Sequence, residues 1–232
     1  MDLNLSKTHK IIKMIQELIK ERKLTTGERL PSERVLAELF QVNRSSIREA
    51  IQILTTLRMV ETKVGSGVYI KDPNVEASIE WLYLQNSLGI GMNLQEIKDA
   101  LEIRHVLEMY AIRKICLRQD DFGLRKFKKI LNEQKAPNID AKTANEIDRK
   151  FHLALAEASG NQLLVRLLNT LYDLSMDRRN KYFEDANRVK ISFSHHEAIY
   201  NALNARDLTR AESLVALHVK EAQVVYGVEN NF

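Results

Sequence analysis

The chain is predicted to be mainly α, with an N-terminal winged helix-turn-helix followed by an all-α antiparallel helical bundle. Three observations carry that expectation. Residues 30–70 read as a short helix, a turn, a second helix with arginines on its first and second turns, and two short β-like runs around Gly65-Ser66-Gly67. Beyond Asn74, apolar residues recur at helical spacing and no strand alternation stands out. A composition of 44% hydrophobic residues, with three prolines and eight glycines, can fill real cores and argues against disorder or a β-rich sandwich.

Element by element, Ile11, Ile12, Ile15, Leu18 and Ile19 recur at helical spacing among Lys and Glu, giving a first helix to about Arg22. Thr25-Thr26-Gly27-Glu28 breaks it. Pro31 leads to Ser32, a good N-cap, and a short helix to Phe40 with Val35, Leu36 and Leu39 inward. Gln41-Val42-Asn43 makes the turn, and Asn43 caps a helix from Arg44 to Leu57 whose inward stripe is Ile47, Ala50, Ile51 and Leu54. Val60–Lys63 and Val68–Ile70 read as strands paired through the glycine turn. Lys71-Asp72-Pro73-Asn74 is the best linker, so the expected domains are 1–72 and 73–232.

Helical patterns then run at about 75–88, 94–116, 121–134, 143–159, 162–184, 189–204 and 208–227. Asn93, Asp207, and Asp140 or Thr143 are suited to cap three of them, and Gly160-Asn161 separates two others. The result is a bundle of six or seven antiparallel helices.

The single cysteine, Cys116, allows no intrachain disulfide, which fits a reducing cytosol; it reads as a packing residue. No run approaches the roughly 18 to 20 apolar residues of a membrane span, and residues 1–20 are amphipathic, unlike a signal peptide. A cytoplasmic protein is expected. Residues 1–72 hold 13 Lys and Arg against 9 Asp and Glu, whereas residues 73–232 balance at 22 against 22. The chain's whole excess of +4 therefore lies in the N-terminal third, as a phosphate-facing part requires.

On the helix 44–57, Arg44, Ser45 and Arg48 lie off the apolar stripe near the helix start, where side chains can reach phosphates and base edges. Arginine suits this place because its planar fork donates two hydrogen bonds to one guanine. Ser45 and Ser46 are short donors, Arg34 on the preceding helix can grip a phosphate, and Gly65 and Gly67 flank Ser66 at a tight hairpin tip.

In the second part, Asp148 and His152 lie four apart on one helix and project together. His218 sits among Ala211, Leu214, Val215, Ala222 and Val225 on an apolar face, and a third helix carries His195 and His196. One carboxylate and three imidazoles converging in a bundle would suit Zn²⁺, Mn²⁺ or Ni²⁺, with coordination positions left open. Helical phase does not choose between His195 and His196.

The head resembles the N-terminal domain of the GntR superfamily of bacterial transcription factors, through Leu30-Pro31-Ser32-Glu33-Arg34, Leu36-Ala37, Val42-Asn43-Arg44, Ile47-Arg48-Glu49-Ala50, Leu54 and Gly65-Ser66-Gly67. The resemblance implies operator contacts by Arg34, Arg44 and Arg48, with the wing glycine in the minor groove. Residues 93–227 resemble the FCD-type effector domain of the FadR subfamily. The matching residues are Leu101-Glu102-Ile103-Arg104 with Glu108, Asp148-Arg149-Lys150-Phe151-His152, Ser159-Gly160-Asn161, and His196-Glu197-Ala198-Ile199 through Asp207 to His218. That resemblance implies a divalent metal held by Asp148, His152, His196 and His218, and a small carboxylate effector completing its coordination. Arg104 matches an arginine that often faces the effector; a salt bridge with Glu108 is the other reading.

The expected function is that of a homodimeric, DNA-binding transcription regulator on a palindromic operator, repressing until a small organic acid binds. Two alternatives are a metal-dependent hydrolase with a DNA-binding head, for which Glu157 and Glu197 are nearby in sequence but neither carries a distinctive catalytic motif, and a direct metal sensor.

Overall fold

The computed structural model describes residues 6–118 and 123–227. The described residues form eleven helices and one two-stranded sheet, and the chain divides into two compact units, Met1–Met92 and Asn93–Phe232.

In the first unit, α1 (Lys7–Glu21), α2 (Glu33–Phe40) and α3 (Arg44–Thr56) enclose a core of Ile11, Ile12, Ile15, Leu36, Ile47, Ala50 and Leu54. Both caps expected of the helix-turn-helix form. Ser32 Oγ accepts from the Val35 N–H at 3.4 Å, and Asn43 Oδ1 accepts from the Ser46 N–H at 2.8 Å. The inward face of α2 is Leu36 and Ala37. Val35 and Leu39, also expected inward, are 37% and 49% exposed, because eight residues turn only one narrow stripe toward α3.

The strands β1 (Val60–Lys63) and β2 (Gly67–Ile70) pair antiparallel, Val60 opposite Ile70 and Lys63 opposite Gly67. The segment before α2, read from sequence only as a break, is a partial third strand. Leu30 N–H donates to Val68 O and Ile70 N–H to Glu28 O. Gly67, at φ 138°, has the Arg29 side chain where a Cβ would stand.

The expected linker at 71–74 does not separate the units. Lys71 N–H donates to Met59 O and Ser78 N–H to Leu57 O, so the chain folds back onto the head. The following helix α4 (Ile79–Ser87) then places Trp81, with Leu88 just beyond it, in the core of Ile11 and Leu54. Residues 75–88, assigned to the bundle from periodicity, belong to the first unit.

The second unit is an all-α bundle of α5 (Leu94–Leu117), α6 (Leu124–Glu133), α7 (Ala141–Ala158), α8 (Gln162–Leu174), α9 (Met176–Phe183), α10 (Ala186–Asn204) and α11 (Leu208–Tyr226). The start expected for α6, near residue 121, lies outside the described residues. Asn93 and Glu96 close a reciprocal capping box on α5, Asp140 caps α7, Asn161 caps α8 and Asp207 caps α11. α7 packs against α5, α6, α8, α9 and α10, which is why its buried stripe is wide and includes Asp148 and His152. Gly123, at φ 82°, lets the start of α6 press on Ala158, whose Cβ would be 2.5 Å from a Cβ at that position.

The single helix expected over 162–184 is two. Ser175 leaves helical geometry at φ −100°, ψ 6°, and its hydroxyl donates back to Leu171 O at 3.0 Å. Such side-chain bonding competes with continuation of the backbone ladder. The break re-aims α9, so that Arg179 reaches Asp148.

Candidate nucleic-acid interface and metal centre

In the head, Arg34, Arg44 and Arg48 keep 69%, 62% and 68% of their side-chain surface exposed. Arg34 pairs with Glu38 one turn on. Arg48 and Arg44 share Glu33: its Oε2 lies 3.1 Å from Arg48 Nη2 and 3.8 Å from Arg44 Nη2. The hydrogen bond and charge of Glu33 raise the Arg48 pKa, fixing its cationic state. Ser45 Oγ donates to Asn43 Oδ1 at 2.9 Å, beside the positive end of the α3 dipole. Gly65 and Ser66 stand exposed at the wing tip, where the Ser66 N–H donates to Lys63 O, and Gly67 is half-buried at the start of β2.

Within the bundle, Asp148, His152, His196 and His218 are all buried, and one ligand atom from each lies within 4.8 Å of every other. Three helices supply them: α7 gives Asp148 and His152, α10 gives His196, and α11 gives His218. Asp148 Oδ1 lies 3.3 Å from His196 Nε2, 3.6 Å from His152 Nε2 and 3.9 Å from His218 Nε2, and the two last nitrogens are 3.0 Å apart. Bonds of about 2.0–2.1 Å to one ion put cis or tetrahedral ligand atoms roughly 2.9–3.4 Å from each other. The 3.0 and 3.3 Å separations fall in that range, and the 3.6 and 3.9 Å separations lie up to 0.5 Å beyond it. His195, by contrast, is half-buried, its ring 5.7 Å from that of His218 and outside the four-residue cluster.

Protonation states fit a cation. Burial pushes the His196 imidazole down to about 4, against the pull of Asp148, and holds His218 well below its usual value. Both rings are therefore neutral donors at neutral pH. Burial would raise Asp148, but the Arg179 guanidinium and the neighbouring imidazoles hold it well below the usual carboxylate range. His196 Nε2, fully buried, has no hydrogen-bond partner among the described residues. Buried polar atoms left without partners are costly, so the donor set fits a divalent ion.

A second layer holds the four residues in place. His152 Nδ1 donates to Glu108 Oε1 at 2.9 Å, which turns its Nε2 lone pair into the cluster. Glu108 Oε1 also accepts from Arg104 Nε at 2.7 Å. Asp148 Oδ2 accepts from Arg179 at 2.6 Å and Oδ1 from Ser192 Oγ at 3.0 Å. The His196 ring stacks on Phe151 with centroids 4.0 Å apart, and its Nδ1 meets the Gln134 amide at 2.7 Å. The Gln134 atom at that distance is Nε2, which donates to Nδ1 as placed; exchanging the amide nitrogen and oxygen lets Nδ1–H donate and leaves the ring Nε2 free. Arg104 Nη2 lies 2.9 and 3.3 Å from the two ring nitrogens of His152. Near-equal distances place it astride the ring, off either lone pair, so its firm partner is Glu108.

Sequence reasoning did not find Gln134, Arg179 or Ser192, and saw Glu108 only as a partner for Arg104. Arg179 carried a faint signal, two successive arginines in an otherwise helical pattern; Gln134 and Ser192 carried none. Glu157 pairs with Lys126 and Glu197 is exposed, so neither candidate base of the hydrolase alternative reaches the cluster.

Beside the cluster, a small recess, partly open to solvent, is lined by Arg104, Arg178, Arg179, Tyr182, His218 and Tyr226, among others. A winged helix-turn-helix carrying exposed arginines, joined in one chain to an all-α unit, defines the class of DNA-binding transcription regulators.

Residues 7–70 match the bacterial regulatory proteins of the gntR family, and residues 99–221 match the FCD domain. The chain belongs to the GntR family. It is 32% identical over 213 residues to the HTH-type transcriptional regulator LutR of Bacillus subtilis, covering 90% of this chain and 95% of that one. It is 27% identical to the galactonate operon transcriptional repressor of Escherichia coli, over 90% and 92% of the two chains. The solved structure of Lar, which controls expression of the Listeria monocytogenes agr system, has the same fold, with a TM-score of 0.64 at 18% identity over 97% and 99% of the chains. The chain is a DNA-binding transcriptional regulator, and its relatives are regulators, not enzymes.

Proposed function

We propose that the protein is a homodimeric repressor whose hold on a palindromic operator is set by a small organic acid bound at a divalent metal in the bundle. The single observation behind this reading is the buried Asp148–His152–His196–His218 cluster beside a cationic recess. When bound, a Zn²⁺, Ni²⁺ or Mn²⁺ ion would supply a Lewis-acidic anchor for a carboxylate. Asp148 and the three imidazoles hold that ion, Glu108 and Gln134 orient two of the imidazoles, and the aromatic wall excludes water. Arg104 stabilises Glu108 from the effector side.

The operator is read by Arg44 and Arg48, with Arg34 on phosphate, Ser45 and Ser46 at the α3 start, and Gly65-Ser66-Gly67 in the wing. Two copies match half-sites about one helical turn apart. An acid seated among α5, α7, α9, α10 and α11 alters their packing and so changes operator affinity. Repression is favoured because one relative is itself a galactonate operon transcriptional repressor, and galactonate is a hydroxylated carboxylate.

Replacing His218 by Ala should lower bound metal, read by elemental analysis after reconstitution, and abolish effector-dependent release of operator in gel-shift titrations. Wild-type metal content in that variant would refute the ligand assignment. Release by metal alone, with no organic acid, would favour the direct metal sensor.

A further inference from the structure

The recess brings together three guanidinium groups, and two of them are already engaged. Arg104 donates through Nε to Glu108, and Arg179 donates to Asp148 and to Asn145 O. Arg178 differs. Among the described residues its Nε and Nη1 are buried with no hydrogen-bond partner, and its guanidinium lies over the Tyr226 ring, 4.5 Å from the centroid. An aromatic face attracts a cation but accepts no N–H bond of carboxylate strength. Burial, opposed by Tyr226 and assisted by the neighbouring Arg104 and Arg179, pushes Arg178 down to about 10.

Counting charge points the same way. The three arginines face two carboxylates, Asp148 and Glu108, leaving one uncompensated positive charge before any metal is added. A divalent ion on neutral imidazoles raises that excess. A monocarboxylate spent on the metal would leave the Arg178 fork bare in a low-dielectric recess, where an unpaired charge is costly.

We propose that Arg178 is the receptor for a second acidic group of the effector, so that the pocket selects dicarboxylates over monocarboxylates. This rests on the metal-anchored reading above for the placement of the first acidic group. The ligand occupies the recess that His218, Asp148 and Arg178 line together with Tyr182, Phe183 and Tyr226.

The test compares two four-carbon 2-hydroxy acids, malate and 2-hydroxybutyrate, which differ by one carboxylate in place of a methyl group. Calorimetric titration into the full-length, Zn²⁺-reconstituted protein should show malate binding about ten- to a hundredfold more tightly, the range of a charge-assisted hydrogen-bond pair. Arg178→Gln should erase that preference while metal content stays unchanged, and Arg178→Lys should restore part of it. Equal affinity for the two acids in the wild type, including no binding of either, overturns the proposal even if Arg178→Gln does not fold. A preference that survives in Arg178→Gln also overturns it. Elemental analysis of the same samples separates the two readings. Metal-loaded protein without discrimination sinks the role of Arg178 alone, whereas metal-free protein that still discriminates supports Arg178 and sinks the metal site.

Discussion

Glu33 stands between the two arginines that the helix-turn-helix geometry assigns to base reading. It is only about a quarter exposed (26% of its side chain), and it holds Arg48, and more loosely Arg44, against the α2 start. That contact pre-orients the forks but adds a negative charge on the surface that phosphates approach. Glu33→Gln should therefore tighten binding to a scrambled duplex more than to the operator, narrowing the ratio between them in salt-matched gel shifts. Arg48→Ala should weaken operator binding roughly ten- to a hundredfold, as loss of a bidentate base contact does, and should affect the scrambled duplex less. An operator preference unmoved by both substitutions would remove Arg48 from base reading. In the bundle the same logic applies to Asp148, whose two oxygens serve Arg179, Ser192 and three imidazoles at once.

At the scale of elements, α4 and α9 carry the main departures from the pattern along the chain. The α4 residues show no preferred apolar face, so periodicity does not say which core receives Trp81; packing against Ile11 and Leu54 does. Trp81 is 5% exposed, and Trp81→Ala should cost about 3–5 kcal/mol of head stability, seen by calorimetry as a lowered first transition. A loss below about 1 kcal/mol would mean that α4 merely leans on the head. The break at Ser175 is smaller in length and larger in effect, since a continuous helix would carry Arg178 and Arg179 past the recess. The caps at Ser32, Asn43, Asn93 and Asp207 were legible because capping is chemistry among residues three apart.

For the molecule as a whole, the buried imidazoles tie stability to pH. His196 is pushed from 6.5 down to about 4, so between those values the unfolded chain binds a proton that the folded chain refuses. The metal-free protein should accordingly lose stability as pH falls from about 6.5 toward 4. His218, shifted the same way, adds to the loss. Thermal midpoints of chelator-treated protein across that range check it, and a flat profile would show that the rings are not buried uncharged. Bound metal should flatten the upper part of the slope, because ligation keeps the imidazoles unprotonated.

Sequence alone determined the helix-turn-helix, the wing, the helical character of the remainder and the segregation of net positive charge, since each depends on near neighbours or on counting. It also placed Asp148 and His152 together at the edge of an apolar stripe and His218 on an apolar face, and with the family resemblance singled out His196. Only the tertiary structure decided that α4 joins the head, that His195 stands aside, and that Glu108, Gln134, Arg178, Arg179 and Ser192 surround the cluster. Those partners come from helices far apart in the chain, and their meeting is set by how the helices pack. Periodicity records which face of a helix is apolar and carries no record of the face it will meet.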